Sequence, residues 1–233
     1  SRLLPLKIPV LIEKPAGSTP EEAGRLVSIA RRARTLHMVS FNRRFSPAVA
    51  KANVWLSRRH PQGLPVFITG TMMRHNRREP DFIQGTAIHA VDLLFSFLGT
   101  PRQVSARLAQ EGPAYAIDVS LAFRGGRAGR LLVAPDSGTV RETYEIVGDG
   151  CSVFIDTAGC SVRIRDRRIP VLDWKAAPRS HSCVKDGTYG ETVTFLTAVR
   201  TRRQPRPDLA DAYQAMRACA TIARQVARAR KEH

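Results

Sequence analysis

No apolar run in this 233-residue chain approaches the roughly 20 residues needed to cross a bilayer, so the sequence offers no helical membrane span. The opening stretch, Ser1 to Ile12, is apolar but broken by Pro5 and Pro9. It lacks a small-residue cleavage site and reads as loop and strand, not as a signal peptide. Cysteine is sparse: four, at positions 151, 160, 183 and 219, in spacings that match neither zinc-type CxxC pairs nor a disulfide framework. They read as reduced thiols, which places the protein in the cytoplasm, with Cys151 and Cys160 as neighbours across a hairpin. His181 and Cys183 stand close together, but a metal site needs two further ligands, and no metal is expected. Acidic residues are few, 20 against 37 basic ones, giving a formal charge of +17. Lysine supplies only 6 of the 37 and arginine the rest. The arginines are scattered, with short runs such as Arg31-Arg32, Arg43-Arg44 and Arg202-Arg203, and not clustered with aromatic or glycine partners. That pattern argues against specific nucleic-acid readout, although a basic field attracts anionic substrates. No internal repeat and no low-complexity linker is present.

What the chain does contain is ordered periodicity. Val10 to Glu13 is a short apolar strand ending at Lys14-Pro15. Ser18-Thr19-Pro20-Glu21-Glu22 follows with a hydroxyl cap, proline in the first turn and acids near the positive end of the helix dipole. Ala23, Leu26, Val27, Ala30 and Ala33 continue at helical spacing, and His37 to Phe41 reads as the next strand. This strand–helix–strand order predicts a right-handed βαβ unit at the edge of a parallel sheet. Helix is predicted from Ser46 to Arg59, strand from Gly63 to Thr71, and an apolar helix from Thr86 to Leu98, stopped by Gly99 and Pro101. Strand-like runs at 103–109, 115–123, 128–134, 140–147, 151–156 and 160–165 are punctuated by glycine-containing turns, predicting a mostly antiparallel sheet. Helices return at 188–201 and 208–231.

Three motifs in this order resemble the Gfo/Idh/MocA oxidoreductases, which include glucose–fructose oxidoreductase and inositol dehydrogenase. They are Glu13-Lys14-Pro15 at a strand end, Ser40-Phe41-Asn42-Arg43-Arg44-Phe45-Ser46-Pro47 after the next strand, and Gly85 to Leu94 opening a helix around His89. Glu142 to Asp156, Glu191 with Phe195, and Pro205-Arg206-Pro207-Asp208 resemble later family sections. The resemblance runs from about Val10 to Ala227. It implies an α/β (α+β) chain: residues 1–45 as the last βαβ part of a Rossmann dinucleotide-binding domain, and 46–233 as an α/β domain with a large open, mostly antiparallel sheet for substrate and oligomerisation. No G-x-G-x-x-G lies between a strand and a helix, and Arg124-Gly125-Gly126-Arg127 falls between strands. The chain is therefore expected to lack the helix end that holds a pyrophosphate, and to belong to a longer protein that supplies it upstream.

The resemblance implies hydride transfer between NAD or NADP and a sugar, inositol or related polyol. Such chemistry needs a base within reach of the hydroxyl proton and a cation for the developing alkoxide. Lys14, after a cis bond to Pro15, is expected between nicotinamide and substrate, and His89 is expected as the acid/base. Glu13, Lys14, Pro15, Asn42 and Arg44 are the expected cofactor contacts; Lys14, His89 and Tyr189 the expected substrate contacts. One departure stands out. Many members carry Asp four residues before the histidine, where this chain has Gly85. Asp92, three residues after His89, is either an orienting partner of the imidazole or a buried structural carboxylate. A homo-oligomer through the open sheet is the expected assembly. The alternative is a non-catalytic member whose sheet serves oligomerisation or ligand binding.

Overall fold

The computed structural model describes residues 2–59 and 65–231. Strands β1 (Val10–Ile12) and β2 (His37–Val39) pair in parallel, with helix α1 (Pro20–Ala33) between them in sequence. The Thr19 hydroxyl caps α1 by accepting the Glu22 amide at 3.2 Å, and the Glu22 carboxylate accepts the Ser18 amide in return at 2.8 Å. The Thr19 hydroxyl is the cap that the sequence predicted, and the return bond from Glu22 to the residue before the cap resembles a capping box.

After α2 (Pro47–Arg59) the chain builds an eight-stranded sheet from β3 (Phe67–Met73), β4 (Gln103–Glu111), β5 (Ala114–Ala122), β6 (Ala128–Ala134), β7 (Arg141–Gly148), β8 (Cys151–Asp156), β9 (Ser161–Asp166) and β10 (Ile169–Lys175). The spatial order is β10-β9-β8-β7-β3-β6-β5-β4, antiparallel throughout except for the β3–β6 pair. The six strand runs from 103 to 165 form as the alternation predicted. The predicted Gly63–Thr71 strand is realised as Phe67–Met73, and its first two positions, 63 and 64, lie outside the described residues. Strand β10 was not foreseen. Pro170 interrupts its pattern and is tolerated because β10 is an edge strand with an irregularity between Pro170 and Leu172.

Helix α3 (Ile88–Leu98) covers the middle of one sheet face, and α2 covers β8 and β9. Close approach of α3 requires Gly70. A Cβ there would stand 3.0 Å from both Leu94 Cδ1 and Leu131 Cδ1. The core gathers Ile68, Met72, Leu93, Leu94, Leu131, Tyr144 and Ile146 on this face. Helix α6 (Leu209–Ala229) packs on α1, α3 and β4, and so ties the two sheets together. At β4 the Gln225 side chain accepts the Ala106 amide at 2.5 Å. The other sheet face is mixed: Thr69, Thr71, Thr143, Glu145 and the Arg130–Asp118 ion pair lie near exposed Phe67 and Val147. Among the described residues, no helix is long and apolar enough to cross a membrane.

Among the described residues, none of the four cysteines is joined in a disulfide. Cys151 and Cys160 are not cross-strand neighbours. Cys151 faces Asp166 at one end of the β8–β9 hairpin, whereas Asp156 faces Ser161, next to Cys160, at the other. Tight pairing through residues 157–160 sets a register in which the two thiols cannot meet.

Candidate active site

Strand β1 runs out at Ile12 into Glu13-Lys14, and the Lys14–Pro15 bond is cis, as the resemblance implied. The Lys14 ammonium donates to the carbonyl of Gly85. That carbonyl lies in a π-type turn, Ile83–Ala87, which precedes α3 where the sequence predicted an α-helix from Thr86. Turns of this width recur at functional sites because they redirect backbone groups out of the helical ladder. His89 follows within a turn, its ring edge-on to Phe41 at 6.0 Å. Its Nδ1 is buried with no hydrogen-bond partner among the described residues. Burial, then the charges of Arg43, Lys14 and Arg74, hold the imidazole well below its ordinary pKa, so it is neutral at physiological pH. Lys14 is also lowered, first by burial and also by Arg43 and Arg77, while Glu13 and Asp81 pull the other way. Lys14 and His89 thus share one electrostatic neighbourhood.

The glycine at 85 leaves room for another carboxylate. A Cβ at that position would sit 3.2 Å from Asp81 Oδ2. Asp81 therefore approaches the space beside Gly85, within reach of the Lys14 charge. The Arg77 guanidinium donates to Thr86 Oγ1 at 2.8 Å on the same turn.

Adjacent arginines after β2 part company. Arg44 makes a bidentate pair with Asp92, at 2.7 and 2.6 Å, and lies 3.8 Å from Asp211. Asp92 is thus the partner of Arg44, not of His89. Burial pushes Asp92 up to about 6 while Arg44 opposes it, so the carboxylate remains ionised at neutral pH. Burial also works against the Arg44 charge, yet Asp92 raises its pKa overall. Arg43 instead faces the Lys14–His89 neighbourhood, stands 3.5 Å from Glu142, and donates to Asn42 Oδ1 at 3.1 Å. Glu142 is buried and also receives Arg74 and, at 3.0 Å, the Tyr144 hydroxyl.

Helix α5 (Thr188–Thr201) closes this side. Gly187, at φ +94°, lets it dock on the Asn42–Phe45 turn, because a Cβ there would lie 2.0 Å from the Asn42 carbonyl. The docking brings Thr188 Oγ1 to 3.4 Å from Asn42 Nδ2 and leaves Tyr189 exposed beside it. Glu191, buried in the next turn, accepts the Ser40 hydroxyl at 2.7 Å, while its other oxygen is unpartnered among the described residues. Burial pushes Glu191 up to about 7, against the Ser40 hydrogen bond, with Glu13 and Asp186 adding to the rise.

The sequence reading named Lys14, His89, Asn42 and Tyr189 and did not name Arg43, Arg74, Arg77, Asp81 or Glu142, which the fold places around Lys14 and His89 or against Arg43. Only a fold that brings β2, β3, β7 and the π-type turn together groups those residues. Of the missed set, Arg43 and Glu142 stood inside quoted stretches, without a role being given to either.

No family model matches the sequence, and no curated protein does. Solved structures match in shape. A dehydrogenase from Chromobacterium violaceum superposes with a TM-score of 0.85 at 21% identity, over 99% of this chain and 74% of its own. A levoglucosan dehydrogenase in complex with NADH and levoglucosan gives 0.82 at 18%, over 97% and 73%. An oxidoreductase from Agrobacterium radiobacter, in complex with NAD+, L-tartaric acid and magnesium, gives 0.80 at 15%, over 97% and 74%. At such identities the likeness establishes a shared fold: the chain has the architecture of these dehydrogenases across nearly all of its length.

Proposed function

We propose that the chain is the greater part of an NAD(P)-dependent oxidoreductase acting on a CH–OH group of a sugar, inositol or related polyol. The observation that carries this reading is the Lys14 ammonium docked on the π-type turn that presents His89, whose buried Nδ1 has no partner among the described residues. An orphaned buried nitrogen is costly unless a ligand completes it, and a neutral imidazole is the form that accepts a proton. In this reading Lys14 stabilises the developing alkoxide and His89 takes the hydroxyl proton. Glu13, and after it Asp81, oppose the burial and the neighbouring arginines that lower Lys14. NAD or NADP, when bound, supplies the hydride acceptor. Glu13, Lys14, Pro15 and Asn42 would hold its nicotinamide, and Tyr189 would contact the substrate. Arg44 contributes by fixing the turn that carries Asn42, since its guanidinium is engaged with Asp92. Residues 1–45 serve the nucleotide, residues 46–233 serve the substrate and oligomerisation, and the open sheet face joins copies of the chain in the cytoplasm.

Gly85 favours a second reading, a non-catalytic member that retains ligand binding. Steady-state kinetics on the full-length gene product, with NAD or NADP over a panel of sugars and polyols, separates the two. His89→Ala should lower kcat by about 10²–10⁴-fold, the range of general acid–base catalysis, and Lys14→Met should be similarly damaging. Wild-type kcat in His89→Ala on a confirmed substrate overturns the mechanism, and no turnover on any sugar favours the second reading.

A further inference from the structure

A cavity of about 330 Å³ is walled by Arg43, Arg74, Glu142, Thr157, Ser182 and Lys185 among others, and the charges of Arg43 and Arg74 both bear on His89. Its size is near the lower end of small-molecule sites, enough for a sugar-sized ligand and not for a dinucleotide. Its floor is unusual in charge. Two guanidinium groups, Arg43 and Arg74, lean on one carboxylate, Glu142, whose other hydrogen bond comes from the Tyr144 hydroxyl. Two cations meeting a single buried anion leave about one positive charge unmatched at the cavity floor. Arg74 is tied further, donating to the Met73 carbonyl at 3.0 Å and the Arg141 carbonyl at 3.3 Å. Arg43 is the looser of the two, because its contact with Glu142 is 3.5 Å and its side chain is 24% exposed. It lines the cavity, and its charge bears on both Lys14 and His89. Lys185 adds a third cation to the wall, balanced by Asp186 in the same wall.

We propose that this cavity binds an anionic group on the substrate, a carboxylate or a phosphate, with the Arg43 fork as its main ligand and Arg74 behind it. Resting on the oxidoreductase reading, this narrows the substrate from neutral polyols to a sugar acid or sugar phosphate. Guanidinium suits either anion because its planar donors match two oxygens at once. The anion neutralises the surplus charge and places the neighbouring hydroxyl carbons toward Lys14 and His89. The chain's general basic field adds attraction but no register, so a geometric fork is needed to orient the sugar.

Calorimetric titration of the chain with D-glucuronate, D-glucose 6-phosphate, inorganic pyrophosphate and D-glucose tests the idea without relying on turnover. One of the two sugar anions should bind at least about tenfold more tightly than glucose, and which one wins identifies carboxylate or phosphate as the group recognised. Arg43→Met should weaken that binding by about 10- to 100-fold, the worth of charge-assisted hydrogen bonds, with the circular dichroism spectrum unchanged. Arg43→Lys, which keeps the charge but loses the fork, should fall between wild type and Arg43→Met. Glucose bound as well as the anions, no binding of either sugar anion, or an unchanged affinity in a folded Arg43→Met variant overturns the proposal. Pyrophosphate bound more tightly than both sugar anions also overturns it, by assigning the guanidinium to the cofactor. Those results leave the oxidoreductase reading standing. That reading fails separately, if the full-length protein oxidises no sugar of any charge.

Discussion

Arg43 and Arg44 are neighbours in sequence, yet they anchor two regions of opposite character. Around Arg44 every strong group has its partner: the guanidinium takes both oxygens of buried Asp92 and approaches Asp211, itself engaged in the α6 capping box with Asp208. Around Arg43 the partners do not add up. Two arginines share Glu142, and the His89 Nδ1, on which both their charges bear, is unmatched among the described residues. A polar cluster that closes on itself fixes a fold, whereas one left open fits a ligand. The two clusters lie one residue apart because the turn Asn42–Phe45 points successive side chains in different directions.

The largest test of this contrast is on stability. Arg44→Met strands a buried, ionised Asp92 and should cost about 3–5 kcal/mol in urea unfolding. Arg43→Met leaves Glu142 with Arg74 and Tyr144, and should cost under about 1 kcal/mol. Equal losses in the two variants would erase the distinction between a closed and an open cluster. A double variant, Arg44→Met with Asp92→Leu, should recover much of the stability, because the remaining charge is removed with its partner.

The same contrast explains how much of this was legible in the sequence. The strands at 103–165 and the α1 cap were readable because alternation and capping are local. Strand β10 was not, since its Pro170 and exposed residues carry no local signal and only its edge position makes them tolerable. Lys14 and His89 were reachable through motif resemblance, and the structure brings them to one turn. Asp92 was left between two roles, and the decision rested on Arg44, which is 48 residues away in sequence. The surplus charge at Glu142 was invisible for the same reason: it is a property of β2, β3 and β7 meeting, not of any one of them.

A second test exploits the unpartnered oxygen of Glu191, which belongs to the open class but lies under α5. Its carboxyl titrates near 7 when folded against an ordinary 4.5. Between those values the folded chain keeps a proton that the unfolded chain has released. Stability from this group is therefore present below about pH 4.5 and lost as pH rises through 7. Glu191→Gln removes the charged form. It should raise stability at about pH 8 by up to about 3 kcal/mol, and the gain should shrink toward zero below about pH 4.5. Denaturation midpoints across that range decide the matter. A gain independent of pH would place the effect in packing and not in the carboxylate.

The smallest effect is the sharpest control on what makes a cluster functional. His181 and Cys183 stand close in sequence without the two further ligands that a metal site needs, and in the fold they touch, with His181 Nδ1 3.1 Å from Cys183 Sγ. Their contact is local, across the first turn of the short helix α4 (Ser182–Lys185), where His181 also accepts the Cys183 amide at 3.4 Å. Among the described residues, no group of three or more metal-capable side chains forms there or elsewhere. The thiol is half-buried and its neighbour is a cap, so a hydroxyl can occupy the same place. Cys183→Ser should change stability by no more than about 0.5 kcal/mol and leave kcat and sugar-anion affinity at wild-type values. A large loss of activity in a folded Cys183→Ser variant would mean that a contact closed within one turn can still carry chemistry. The line drawn between Arg44 and Arg43 would then be in the wrong place.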